Sequence, residues 1–249
     1  MTAEAPRIEV DRGEVGALAA LWEGQIDGLW LKGALSLEAV AALRAAAAEL
    51  PARSAPPFPG TTHGSVLIVT PDRARYFEDA ARLRACMESL GLHAPLLALL
   101  GRLAGAPVEV PEEGGQTYAA VTIRRLPPGL EVAVHSERWA WPAMGWHRAR
   151  LTPRWHLSFY LPLNALPDGG ELELFHRPAE GQSLEGLSPA AARDRLAAFG
   201  TTTLRPGPGD LLLFDGGRFN HRVCPSSAER WTLGGFAGRD AAGKLWVWS

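Results

Sequence analysis

Two textures divide the chain. Up to about residue 115 apolar residues recur at helical spacing, and beyond it they come in short β-branched or aromatic runs. "SLEAVAALRAAAAELP" predicts a helix with Ser36 as N-cap and Pro51 as its stop. "PDRARYFEDAARLRACMESLG" predicts a second helix ending near Gly91, and "APLLALLGRLAG" a third. Between the first two, "PARSAPPFPGTTHG" reads as a Pro-rich loop. After residue 115, "QTYAAVTIRRL", "LEVAVHSE", "RWHLSFYLPL", "GELELF", "GDLLLFDG", "FNHRV", "RWTLGGF" and "KLWVWS" read as strands punctuated by Gly, Pro and Asp. Strands this short and regular predict a sandwich or barrel. "LSPAAARDRLAAFG", capped at Ser188, interrupts them as a helical insert near 188–199. No linker-like composition separates the two textures. The expectation is a single domain over 1–249, mainly β, with a mostly helical flank (1–115) packed on a β core (116–249).

Strand alternation sorts the candidate chemistry by face. Residues two apart point the same way, so His135 and Glu137 share a side. In "RWHLSFYLPL", His156, Ser158 and Tyr160 share one face, and Trp155, Leu157 and Phe159 the other. Arg230 and Thr232 share a face of the last segment. The plain reading of such polar faces is wet surface.

Bulk properties narrow the classes. The chain has 249 residues, 47% of them hydrophobic and 21% charged, with a net charge of −2. That supports an ordinary globular core and leaves no basic footprint, so nucleic acid is not an expected partner. Cys86 and Cys224 are far apart and have no metal or redox spacing, which favours a reducing compartment. The N-terminal residues lack an apolar signal core, and no apolar run approaches the ~20 residues of a membrane span. A cytoplasmic protein is expected, with a small-molecule, amino-acid or peptide substrate.

With 7 histidines and 27 acidic residues, one His-x-Asp/Glu is expected by chance, so "HSE" needs support from elsewhere. "FNHRVCPSSAERWTL" supplies it. An apex between Pro225 and Ser226 would make His221 and Arg230 cross-strand neighbours on a hairpin. A cation there would keep the imidazole neutral and able to bind metal. Two histidines and one carboxylate on one face of a metal leave three positions open, the facial triad of non-haem Fe(II) oxygenases. His135, Glu137 and His221 would be the metal ligands. The open positions suit a bidentate 2-oxo acid and O₂. Arg230 suits the far carboxylate of that acid, with Thr232 and Tyr160 as hydroxyl donors.

These segments resemble the Fe(II)/2-oxoglutarate-dependent dioxygenases. "LPPGLEVAVHSE" looks like that family's approach to its first two ligands. "LSFYLPLNALPDGGELELF" is similar to the strand-loop-strand of the prolyl-hydroxylase-like branch. "PGPGDLLLFDGGRFNHRVCPSSAERWTLGGF" resembles the segment carrying the second histidine and the co-substrate arginine. The likeness spans roughly residues 117–238. It implies a double-stranded β-helix (jelly-roll, cupin-like) core and an oxidoreductase of hydroxylase type using Fe(II), 2-oxoglutarate and O₂. By this resemblance His135, Glu137 and His221 hold iron, Arg230 and Thr232 meet the distal carboxylate of 2-oxoglutarate, and Tyr160 helps in some members. Departures from the pattern are Glu137 in place of the commoner aspartate and Leu126 where the prolyl-hydroxylase branch often has tyrosine. "RWHLSFYLP" also resembles aspartyl/asparaginyl and free-proline hydroxylases, where such a histidine approaches the co-substrate. His156 is therefore either a co-substrate contact or a core histidine. Related halogenases lack the carboxylate ligand so that halide can bind iron; Glu137 is present, which implies hydroxylation or another oxidation. In "RWAWPAMGWHRARLTPRW", Arg138, Trp139 and Trp141 either contact substrate from a lid or simply pack over the barrel mouth. The rival readings are a cupin-type metal enzyme that does not use 2-oxoglutarate, and a non-catalytic binding barrel.

Overall fold

A computed structural model describes residues 3–10, 13–54, 56, 58–137, 151–178 and 184–249; for 151–155 and 178 it describes the backbone alone. Two sheets face one another, and the N-terminal helices cover the outer face of the larger. The major sheet runs in the order Ile8–Val10, Gly28–Leu31, Leu211–Phe214, Leu151–Pro162, Arg230–Asp240, Thr122–Leu126, Thr61–His63 and Ala52–Ser54. Leu245–Trp248 pairs with the far half of Arg230–Asp240. The minor sheet runs Val132–His135, His221–Val223, Leu172–Phe175, Thr201–Leu204. This is the double-stranded β-helix that the resemblance implies.

Alternation places the core on both sides of the major sheet. Leu157, Phe159, Leu161, Leu211, Leu213 and Leu233 point outward into one cluster with the helical residues Leu43, Leu83, Met87, Leu96 and Leu100. Each such side chain, fully buried, contributes about 1.5–3 kcal/mol. Tyr160, Leu212 and Phe214 point inward against Leu172, Leu174 and Leu204 of the minor sheet. The polar phase of "HLSFYL" is thus not wet surface: His156, Ser158 and Tyr160 are all buried, Tyr160 under the minor sheet and His156 under Phe236 and Trp248.

The predicted helices form at Leu37–Ala48, Arg73–Ser89, His93–Ala104 and Pro189–Ala197. Ser36 Oγ accepts from Ala39 N at 3.1 Å and Ser188 Oγ from Ala191 N at 3.2 Å, each satisfying an otherwise unpaired first-turn donor. No single helix among the described residues is long and apolar enough to cross a membrane.

Two expectations are corrected. The Pro-rich stretch is not only loop. Ala52–Ser54 and Thr61–His63 form an antiparallel pair that extends the major sheet through Ile123–Arg125. The prolines at 51, 56 and 59 fall outside both strands, so they cost no ladder bonds. Arg53 also ties this edge to the helices through a two-bond contact with Asp79, both at 3.1 Å.

The second correction concerns His221 and Arg230, which are not hairpin neighbours. His221–Val223 pairs within the minor sheet, while Arg230–Asp240 pairs within the major one. Residues 224–229 cross between the sheets. Backbone bonds from Cys224 N to Glu171 O (2.8 Å), Gly170 N to Pro225 O (3.1 Å) and Gly129 N to Ser226 O (2.8 Å) hold them there. Gly169 has φ 62°, and a β-carbon on it would collide with the Pro225 carbonyl. The glycine pair in "DGGELELF" is therefore what lets the crossover pack.

Candidate metal centre

The minor sheet delivers both histidines. His135 ends its strand and His221 begins the neighbouring one, and the two are register partners with ring centroids 4.2 Å apart. Glu137 lies two residues past His135, where its N–H donates to the Gly216 carbonyl at 2.9 Å. Its Oε1 is 3.7 Å from His135 Nε2 and 3.6 Å from His221 Nε2. One ligand atom from each of the three falls within 4.8 Å of the others.

Backbone acceptors choose the tautomers. His135 Nδ1 lies 2.7 Å from Ala133 O, and His221 Nδ1 lies 3.0 Å from Phe219 O. Each carbonyl holds the proton on Nδ1 and leaves the Nε2 lone pair facing Glu137. Burial, with the neighbouring imidazole's charge, pushes His135 down to about 4, so it stays neutral at ordinary pH. Burial pushes the Glu137 carboxyl up, but the His221 hydrogen bond and the nearby imidazoles outweigh it and hold the group at about 2. Two imidazole nitrogens and one carboxylate form the donor set for a divalent metal with open positions. Ser158 Oγ donates to Glu137 Oε1 at 3.4 Å, and Phe214 packs edge-on to His221 at 4.9 Å.

The major sheet supplies the anion-binding half. The centre opens on a cavity of about 360 Å³ whose walls include Arg230, Thr232 and Tyr160. Arg230 is buried, with its guanidinium 5.4 Å from the Tyr160 ring centre, and no carboxylate partner among the described residues. Burial pulls its pKa down. Tyr160 Oη is buried and faces the Arg230 guanidinium, with no other hydrogen-bond partner among the described residues. A buried guanidinium without an anionic partner costs free energy unless an acceptor arrives, so the residues present fit a bound carboxylate. His156 packs against Phe236 (5.0 Å) and Trp248 (5.5 Å) and is not in the described cavity wall, which favours its core reading. Arg138, Trp139 and Trp141 lie outside the described residues.

A family model described as carrier-protein-independent halogenase WelO5 matches residues 7–249. The chain belongs to that family. Membership and the His-Glu-His centre make this WelO5-family chain an oxidoreductase of the 2-oxoglutarate/Fe(II) type, with Fe(II), 2-oxoglutarate and O₂ as its metal and co-substrates. No curated protein matches it significantly. Among solved structures, an N-substituted L-amino acid dioxygenase from Burkholderia ambifaria AMMD is similar at TM-score 0.62 and 17% identity, over 92% of this chain and 90% of that one. A 2OG-Fe(II) oxygenase family oxidoreductase from Burkholderia pseudomallei is similar at 0.54 and 16%, over 94% of each chain. The non-heme alpha-ketoglutarate-dependent epimerase SnoN from nogalamycin biosynthesis is similar at 0.54 and 17%, over 90% and 86%. At these identities the likeness is one of fold.

Sequence reasoning missed three features of this WelO5-family site. Gly216 holds Glu137 in place. Phe58, Pro59, Thr62, Val66, Ile68 and Val69 line the cavity, the first three from a stretch that read as loop. Arg124 also lines it, in phase with Thr122 and Leu126; a charge on the inward phase of a strand was the available signal.

Proposed function

We propose that this chain hydroxylates an unactivated C–H bond of a small molecule, amino acid or peptide, and does not halogenate. The observation that carries this is Glu137, which occupies the third ligand position between the two imidazoles. In halogenases of this kind that position is vacated for halide. His135, Glu137 and His221 would hold Fe(II), and Arg230 with Tyr160 and Thr232 would hold the distal carboxylate of 2-oxoglutarate. When bound, the metal with O₂ and 2-oxoglutarate supplies the oxidising power: the co-substrate becomes succinate and CO₂, and one oxygen atom enters the substrate C–H bond. The chain's own part is to fix the tautomers, keep His135 neutral and exclude water from a largely apolar cavity. The dioxygenase of N-substituted amino acids with the same fold supports a substrate of that size.

Anaerobic titration with Fe(II) and then 2-oxoglutarate, followed by visible absorption, tests the first half. A chelate band that weakens in Arg230→Ala is expected, whereas iron binding without any band overturns 2-oxoglutarate use. Product masses from turnover with and without chloride test the second half. Oxygen insertion under both conditions is expected; a chlorinated product overturns the hydroxylase reading.

A further inference from the structure

Arg124 is a second cation in the cavity, and nothing in the proposed chemistry of iron and 2-oxoglutarate uses it. It sits mid-strand in Thr122–Leu126, opposite Thr232 on one side and Thr62 on the other. Among the described residues it has no hydrogen bond or ion pair; its contact is the Phe236 ring, 6.0 Å from the guanidinium carbon. The Glu137 Oε1 atom is engaged by the two imidazoles and Ser158. Burial lowers the arginine's pKa, and Arg230's charge adds to that effect while Glu137's opposes it.

The geometry points to Arg124 as a carboxylate-binding residue for the substrate, selecting a molecule with one carboxylate and an apolar body. This rests on the oxygenase reading above. Its backbone lies opposite Thr232, but its guanidinium reaches along the strand away from Arg230. The Arg124 guanidinium lies beside Gly234, where an added β-carbon would be 3.8 Å from Nη1, and faces Phe236. Gly234 is four residues along the strand from Arg230, about 13 Å of backbone. The cavity walls include Phe58, Pro59, Val66 and Ile68, with Thr62 beside Arg124 as a hydroxyl, so the body of the ligand meets apolar surface. Charge counting agrees. A divalent metal and a dianionic 2-oxo acid cancel, Glu137 cancels one guanidinium, and one positive charge is left in a site of low dielectric. A monocarboxylate neutralises it. The other source of the same chemistry is the metal-proximal carboxylate of 2-oxoglutarate itself, and the test separates the two.

Wild type, Arg124→Leu and Arg124→Lys would be loaded anaerobically with Fe(II) and 2-oxoglutarate. The visible band reports the co-substrate. Calorimetric titration of 4-phenylbutyrate and N-acetyl-L-leucine, each against its primary amide, reports the anion site. The acids should bind wild type at least about tenfold more tightly than the amides, as expected for a charge-assisted bond. Arg124→Leu should lose that preference with the band intact, and Arg124→Lys should keep part of it. A band lost together with acid binding in Arg124→Leu overturns the substrate role and reassigns the guanidinium to 2-oxoglutarate. Acids that bind wild type no better than amides, or not at all, overturn an acidic substrate while an intact band still supports the oxygenase. No band in iron-loaded wild type removes the oxygenase reading, and this inference with it.

Discussion

Replacing Gly216 with alanine should cost metal affinity without unfolding the protein. A β-carbon at this position would lie 2.9 Å from Glu137 Cγ and would overlap Ser158 Oγ. Ordinary contact begins near 3.4 Å, so the Glu137 side chain has to move by roughly 0.5 Å even after Ser158 rotates away, more than the ~0.2 Å over which ligand distances hold. The N–H of Glu137 stays tied to the Gly216 carbonyl, so the backbone cannot relax away from the clash. Displacing a ligand through its support costs about 10–100-fold in metal affinity, and overpacking costs stability about 1–3 kcal/mol. Fe(II) affinity would be measured anaerobically by competition with a chelating dye, and folding by urea titration. Gly217→Ala is the control, because its β-carbon meets nothing closer than 3.5 Å. Gly216→Ala/Ser158→Ala removes one clash and leaves the other, so it should recover only part of the loss. Wild-type iron affinity in folded Gly216→Ala would refute the view that Glu137 is fixed from behind.

Two further outcomes follow from the same geometry. Arg230→Ala should weaken 2-oxoglutarate binding by at least about tenfold with Fe(II) affinity unchanged, and Arg230→Lys should recover only part of it, since an ammonium lacks the planar fork. Loss of both affinities together would argue for misfolding instead. The metal-free protein should weaken in acid. Burial holds the His156 imidazole down to about 4, whereas the unfolded chain takes up that proton near the usual 6.5. Between those values the unfolded state binds more protons, so stability falls as pH drops through 6.5 and has lost roughly 3 kcal/mol by pH 4. Urea unfolding at several pH values checks this; a flat profile over that window would refute it.

Features set by near neighbours were legible in the sequence. Ser36 and Ser188 cap helices because the bond they make spans three residues. The alternation in "HLSFYL" assigns faces because a pleat repeats every two residues. What those faces meet is a long-range matter. Ser158 and Tyr160 read as surface until a second sheet covers them. The strand at Gly28–Leu31, within the expected helical flank, exists through its pairing with Leu211–Phe214. Symmetry about Pro225 suggested a hairpin, but the segment instead donates and accepts bonds with residues near 129 and 170. The three candidate ligands still come together because His135 and His221 sit on adjacent strands of one sheet, with Glu137 two residues on.

The same division explains how one departure from the family pattern can change the chemistry without disturbing the fold. The histidines come from the minor sheet, and Arg230, Thr232, Tyr160 and Arg124 from the major one, so metal and anion meet only across the gap between sheets. Glu137 belongs to neither ladder; it lies two residues beyond the end of a strand and is held by Gly216 and Ser158. A change there leaves both sheets, both histidines and the anion site intact. The match to a halogenase family over residues 7–249 and a ligand set that keeps its carboxylate are therefore compatible, and the third ligand position is where we propose the reaction outcome is decided.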